Sequence, residues 1–141
     1  MNIYADTSFF VSLYLTDQHS PEAQCRLAQQ QFVWLTPLHL AEWTHAIALL
    51  VFRNKISTQE AQQVYQSFER DRLAGVWVEV DLPAKTFEVS ARLARHHVAS
   101  LGVRTLDTLH VAAALELVAQ AFWTFDLRQA KLVQAAGMNL S

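Results

Sequence analysis

The chain has 141 residues, of which 52% are hydrophobic and 17% charged, which excludes a disordered or low-complexity protein and predicts one domain over residues 1–141. Lys and Arg number 11 against 13 Asp and Glu, so the net charge of −2 gives no overall positive field to attract nucleic acid, and such binding would have to be local. The single cysteine, Cys25, excludes an intrachain disulfide. The chain starts without the features of a signal peptide and has no apolar stretch long enough to span a membrane, so we expect a cytoplasmic protein without membrane contact.

Short apolar strands alternate with helices along the chain. The predicted strands are Asn2–Asp6, Phe32–Thr36, Val76–Asp81 and Ala121–Asp126. The predicted helices begin near Phe9, Ser20, Pro37, Ser57, Pro83, Thr105 and Leu127. Because parallel strands need crossover connections, this alternation predicts an α/β fold with a central parallel sheet and helices on both faces. The strict alternation of apolar and polar residues in Val76–Asp81 is typical of an edge strand.

Local signals predict several helix ends. Thr7 or Ser8 can cap the first helix, and Ser57 followed by Glu three residues later forms a capping box. Gly137 is suited to end the last helix, after which residues 138–141 could add a final strand.

Apolar residues are abundant for so small a protein. The helix after Pro37 is apolar around nearly its whole circumference, so we expect it to be largely buried. The large aromatic residues expected in the core are Phe9, Phe10, Trp43, Phe52 and Trp77. The apolar excess indicates self-association or a protein partner.

Four acidic residues stand in apolar surroundings. Asp6 and Asp126 each end a continuously apolar strand, and ligands of parallel sheets bind beyond the carboxyl ends of such strands. Glu42 and Asp107 lie in the most apolar helices. Burying a lone carboxylate costs several kcal/mol, so such a group becomes neutral, pairs or binds a cation. Taken singly, each also has a structural interpretation: Asp6 and Asp126 as helix caps, Glu42 as a solvated position, Asp107 as a first-turn acid.

The segments YADTS, LAE, LDTLHVAAAL and TFDLRQAKLVQAAG, taken in order, resemble the PIN-domain nucleases, especially the VapC-type toxins of toxin–antitoxin pairs. The resemblance spans nearly the whole chain and implies a sheet of order 3-2-1-4-5. It also implies that Asp6, Glu42, Asp107 and Asp126 form an acidic pocket that binds Mg²⁺ or Mn²⁺ and cleaves RNA. Thr7 and Thr124 would then be hydroxyl neighbours of the pocket. The short tail after Gly137 departs from the family pattern and leaves the fifth strand open.

Carboxylates suit this chemistry because hard divalent cations prefer oxygen ligands, and Mg²⁺ usually takes one or two carboxylates and several waters. Bound cations polarise the phosphate and activate water, so no nucleophilic side chain is required. Arg104 and Arg128 lie near Asp107 and Asp126 in the sequence and could form a basic rim that contacts RNA phosphates, although either could equally be a solvated side chain.

The histidines near the acids do not have the spacing of a zinc site. His39 and His45 are six residues apart, whereas the zinc-binding helix places its two histidines four apart. We therefore interpret His39 and His45 as surface or partner contacts, and His110 as a residue that could touch the substrate without being catalytic.

The sequence favours a metal-dependent endoribonuclease that acts as the toxin of a type II toxin–antitoxin pair, is a homodimer and binds a cognate antitoxin through a groove formed by its early helices. One alternative is a PIN-like module that binds RNA or protein without catalysis, which the intact set of acids disfavours. Another is a metal-dependent phosphohydrolase, which is disfavoured because the chain reads DTS where a haloacid-dehalogenase-type phosphatase has DxDxT.

Overall fold

A computed structural model of the chain describes residues 1–29 and 32–141. In these residues the strands are β1 (Asn2–Ala5), β2 (Phe32–Leu35), β3 (Val78–Glu79) and β4 (Ala121–Trp123). The helices there are α1 (Thr7–Tyr14), α2 (Ser20–Leu27), α3 (Pro37–Phe52), α4 (Thr58–Leu73), α5 (Thr86–Leu93), α6 (Ala99–Leu101), α7 (Thr105–Glu116) and α8 (Leu127–Ala135). A π-helical turn, Ala94–Val98, joins α5 to α6. No helix within the described ranges is both long and apolar enough to cross a membrane.

The sheet is parallel and its strand order is β3-β2-β1-β4. The predicted α/β fold and the order of these strands are confirmed. The edge strand β3 has only two residues, and the predicted fifth strand is reduced to one parallel bridge between Phe122 and Leu140. The central strands are therefore β1 and β2, and β1 lies next to β4.

The two faces of the sheet are covered by different helices. Ile3 and Ala5 of β1 pack in one apolar cluster with residues of α1, α3 and α4. Tyr4, which points to the opposite face, packs with residues of α7 and α8. Because successive side chains of a strand alternate between faces, four residues of β1 are enough to anchor both layers.

Several predicted boundaries shift by a few residues, because residues that were predicted to end strands begin helices instead. Asp6, Thr36 and Asp126, which the sequence placed at strand ends, lie outside the strands and serve instead as the N-caps of α1, α3 and α8. Neither Thr7 nor Ser8 caps α1, and Thr105 is the first residue of α7 rather than its cap. The predicted capping box of α4 is confirmed, as is the end of α8, where Gly137 has a φ of 81°.

Two packing predictions are wrong. Helix α3 is not largely buried, because only His39, Trp43 and Ile47 among its residues are fully buried and Phe52 is 82% exposed. His39 is not a surface residue, since its Nε2 donates to the Ala5 carbonyl at 2.7 Å and its Nδ1 accepts from the Thr36 backbone N–H at 2.9 Å. His45 is exposed, as expected.

Candidate functional site

A cleft of about 740 Å³ lies beyond the carboxyl ends of β1 and β4. The four acids that the sequence singled out all line it: Asp6, Glu42, Asp107 and Asp126. They come from four places in the chain that are brought together only by the parallel crossovers of the fold. Thr7, Arg104, Arg128 and His110 line the same cleft.

Two of these acids begin helices, and a third lies in the first turn of one. The Asp6 carboxylate accepts the backbone N–H of Ser8 at 3.1 Å, and that of Asp126 accepts the backbone N–H groups of Arg128 and Gln129 at 2.8 and 3.2 Å. Asp107, in the first turn of α7, accepts the backbone N–H of Arg104 at 2.9 Å. The structural interpretation of Asp6 and Asp126 as caps and of Asp107 as a first-turn acid is therefore correct. It does not compete with their convergence, because α1, α7 and α8 all direct their positive ends toward the cleft.

Asp6 is the most buried of the four acids, with 5% of the residue exposed. Its Oδ1 accepts the Ser8 hydroxyl at 2.5 Å, and its Oδ2 accepts the Thr124 hydroxyl at 2.5 Å. No Lys, Arg or His in the described ranges forms an ion pair with it. Burial raises the pKa of Asp6 to about 6, although the hydrogen bonds from Ser8 and Thr124 and the charge of His110 act in the opposite direction.

Thr7 lines the cleft, whereas Thr124 lies behind the acids and contacts them. The Thr124 hydroxyl donates to Asp6 and accepts the Asp126 backbone N–H at 3.0 Å, so it links two of the acids. The Thr7 hydroxyl lies 3.3 Å from Nε2 of His110. Both threonine hydroxyls are therefore held by contacts with side chains of the site.

Glu42 is held by a histidine that the sequence analysis did not connect to it. The Nε2 of His110 donates to Glu42 Oε1 at 2.7 Å, across 68 residues of sequence. Burial by itself would raise the pKa of Glu42, but the hydrogen bond and charge of His110, with a hydrogen bond from Thr7, lower it below its usual value. The only sequence signal for this pair was that His110 follows Asp107 by three residues and so lies on the same side of α7.

The rest of the cleft is less enclosed. Burial raises the pKa of Asp107 above its usual value, the hydrogen bond from the Arg104 backbone lowers it, and the nearby carboxylates of Asp126 and Glu42 raise it further. Asp126 is exposed, as are Arg104 and Arg128. Neither arginine forms a salt bridge with a described residue, so both guanidinium groups are available to an anionic ligand.

The donors in the cleft fit a hydrated divalent cation. They are carboxylate and hydroxyl oxygens, and the buried Asp6 forms no salt bridge with a described residue. Over residues 1–29 and 32–141 no three His, Cys, Asp or Glu side chains are grouped so as to hold an ion by themselves. A cation would therefore bind one or two carboxylates directly and the others through water, which is the usual coordination of Mg²⁺.

A parallel sheet with an acidic cleft beyond its strand ends is the architecture of the PIN domain. Residues 3–134 match that family, and the chain belongs to it. A search of curated protein sequences found no match.

Solved structures of similar fold include toxins of the VapC type. VapC20 of Mycobacterium tuberculosis, described as a sarcin–ricin loop cleaving toxin, shares 22% identity over 96% of this chain and 95% of its own, with a TM-score of 0.69. VapBC2 of Rickettsia felis, bound to a DNA fragment from its promoter, shares 16% identity over 100% of this chain and 98% of its own, with a TM-score of 0.69. FitAcB of Neisseria gonorrhoeae shares 15% identity over 98% and 95%, with a TM-score of 0.68. The predicted resemblance to this family and to VapC-type toxins is confirmed.

Proposed function

We propose that the protein is a Mg²⁺- or Mn²⁺-dependent endoribonuclease of one domain and the toxin of a type II toxin–antitoxin pair, acting in the cytoplasm. The observation that carries the proposal is the convergence of four carboxylates in one cleft, with a buried Asp6 that forms no salt bridge with a described residue. Membership of the PIN family and the fold shared with a toxin that cleaves the sarcin–ricin loop support RNA as the substrate.

Each residue of the cleft has a role in this proposal. Asp6 and Asp107 bind the cation, with Glu42 and Asp126 acting directly or through water, and Thr7 and Thr124 order the carboxylates. A bound divalent cation supplies Lewis-acid chemistry that polarises the phosphate and activates water.

In the hydrolysis, the oxygen of a water molecule bonds to phosphorus and releases one proton to solvent, while the P–O bond to one ribose breaks and that ribose oxygen takes up a proton. The Glu42 carboxylate, kept ionised by His110, accepts a hydrogen bond from that water. Arg104 and Arg128 at the rim bind phosphates of the RNA.

The exposed apolar side chains support a protein partner. Phe52 at the end of α3 and Leu73 at the end of α4 are 82% and 89% exposed. Both side chains leave a large apolar area exposed to solvent, and neighbouring folds have been solved as VapBC2 and FitAcB assemblies. We propose that the chain forms a homodimer and binds a cognate antitoxin through surfaces that include the early helices.

The test is cleavage of end-labelled single-stranded and hairpin RNA with Mn²⁺ or Mg²⁺ and with EDTA. Asp6→Asn and Asp107→Asn should each reduce cleavage by roughly two orders of magnitude or more, since a lost electrostatic contact to the reacting groups has effects of that size, while circular dichroism shows an unchanged fold. Asp17→Asn is the matched control, because Asp17 also accepts a hydroxyl and a backbone N–H, from Ser12 and His19, but lies outside the cleft. Cleavage by Asp6→Asn at the wild-type rate would refute the proposal.

A further inference from the structure

The side chain of His110 is clamped between two others in the interior of the protein. It is 1% exposed, and both of its ring nitrogens are engaged: Nε2 with Glu42 Oε1 and Nδ1 with the Tyr4 hydroxyl, each at 2.7 Å. These partners belong to different layers, since Tyr4 is in β1, His110 in α7 and Glu42 in α3. The contact therefore connects the centre of the sheet to the wall of the cleft.

Ring packing restricts the imidazole further. The His110 ring lies edge-on to Tyr4 at a centroid separation of 5.7 Å and lies 5.0 Å from the ring of His39. A rotation that released Glu42 would break the hydrogen bond to Tyr4 as well and would move the ring against its neighbours. The donor that faces Glu42 is thus fixed by packing and by a hydrogen bond on the far side of the ring.

Glu42 needs such a support because its side chain is flexible and partly open to the cleft, with 24% of the side chain exposed. The carboxylate of Asp6, by contrast, is held by two hydroxyls and a backbone N–H close to it in the fold. Without His110, Glu42 would keep only the hydrogen bond from the Thr7 hydroxyl and would sample more rotamers at the edge of the cleft.

We infer that His110 is a positioning residue that fixes the Glu42 carboxylate in the cleft, and that the Tyr4 hydroxyl is the buried group that fixes His110. That Glu42 then helps to hold the cation rests on the proposed function, whereas the coupling between Tyr4 and Glu42 does not. Neither residue needs to touch substrate for this role. Groups that orient metal ligands from behind typically change metal affinity or activity by roughly 10–100-fold when they are mutated.

Tyr4→Phe is the sharpest perturbation, because it removes one hydroxyl and keeps the ring that packs in the core. Tyr14→Phe is its matched control: Tyr14 donates to Asp71 at 2.5 Å and accepts from Trp77 at 3.1 Å, but it lies outside the cleft. His110→Phe removes the whole clamp and is a second variant. The measurements are Mn²⁺ affinity by calorimetry, kcat and KM for RNA cleavage, and melting temperature in EDTA.

We expect Tyr4→Phe to weaken Mn²⁺ binding and to lower kcat at subsaturating Mn²⁺ by roughly tenfold, with KM for RNA unchanged and kcat recovered at high Mn²⁺. Tyr14→Phe should lower the melting temperature without changing Mn²⁺ affinity. A purely structural role for the clamp predicts that both tyrosine variants behave alike, and that result would overturn the inference.

The melting temperatures in EDTA test the coupling between Tyr4 and Glu42 in the absence of metal. The losses in melting temperature of Tyr4→Phe and Glu42→Ala should not add in the double variant if Tyr4 acts on Glu42 through His110. Additive losses would overturn the inference even if the wild type binds Mn²⁺. A wild type that binds no Mn²⁺, with losses that are not additive, would refute the proposed function and leave the positioning contact supported.

Discussion

Replacing Asp6 by Asn in the metal-free protein should stabilise it at neutral pH. Burial raises the pKa of Asp6 from 3.8 to about 6. A difference of about two pH units between the unfolded and folded states corresponds to about 3 kcal/mol. Asn keeps the cap on α1 because its side-chain oxygen can still accept the Ser8 N–H, while the desolvated negative charge is removed.

The sign of the pH dependence follows from the raised pKa. The folded state binds the Asp6 proton more tightly than the unfolded state does. This group therefore stabilises the fold fully at a pH below about 4, and the stabilisation is lost as the pH rises through about 6. Asn does not titrate, and the difference between the two proteins isolates this one group. Asp6→Asn should gain up to about 3 kcal/mol over wild type at pH 7.5, and the advantage should shrink toward zero at pH 4.

Urea unfolding of both proteins in EDTA between pH 4 and pH 8 measures this difference. A stability difference that does not change with pH would show that the Asp6 carboxylate is not desolvated. A variant less stable than wild type at pH 7.5 would show that Asp6 acts as a cap alone. Either result would refute the argument that burial of the ionised Asp6 carboxylate destabilises the metal-free fold.

Three further predictions concern metal, backbone and surface. Mn²⁺ at about 100 times its dissociation constant should stabilise the wild type by about 2.7 kcal/mol and the Asp6→Asn variant by less. A thermal-shift assay of both proteins measures these gains, and equal gains would exclude Asp6 as a ligand. Val118→Gly should raise the free energy of unfolding, measured in urea, by about 1 kcal/mol. Val118 is 78% exposed and has a φ of 54°, a left-handed conformation that is strained for a β-branched residue. A loss of stability would show that its side chain is packed. Phe52→Ser should change the free energy of unfolding of the isolated chain by less than about 0.5 kcal/mol, because Phe52 is exposed. Urea unfolding curves of the variant measure this change. A loss of about 3 kcal/mol or more would show that Phe52 belongs to the core.

The layers of the fold could be predicted from the sequence because each depends on local periodicity. The alternation of apolar strands and helices predicts the parallel sheet, and the alternation in Val76–Asp81 predicts its edge. The exposure of Phe52 could not be predicted, because an apolar helix buried in its own chain and one covered by a partner have the same pattern. The reduction of the fifth strand to a single bridge at Leu140 depends on tertiary pairing that local sequence does not encode.

The acids of the cleft were predictable for a different reason. Asp6 and Asp126 follow apolar strands, and parallel strands bring their carboxyl ends to the same edge of the sheet. The partners of His110 and His39 were not predictable. His110 contacts Glu42 and Tyr4 across 68 and 106 residues, and the sequence spacing of a histidine gives no information on such distant hydrogen bonds. Its role depends on which side chains the finished fold places around it.

Asp6 and Asp126 each use one carboxylate both to begin a helix and to line the cleft. Asn begins a helix about as well as Asp does, and the codons of the two residues differ by a single nucleotide. A descendant of this gene could therefore lose a carboxylate of the cleft in one mutational step while it kept the helices that those residues begin. If the proposed function holds, such a step would turn an enzyme of this architecture into a binding protein without passing through an unfolded intermediate sequence.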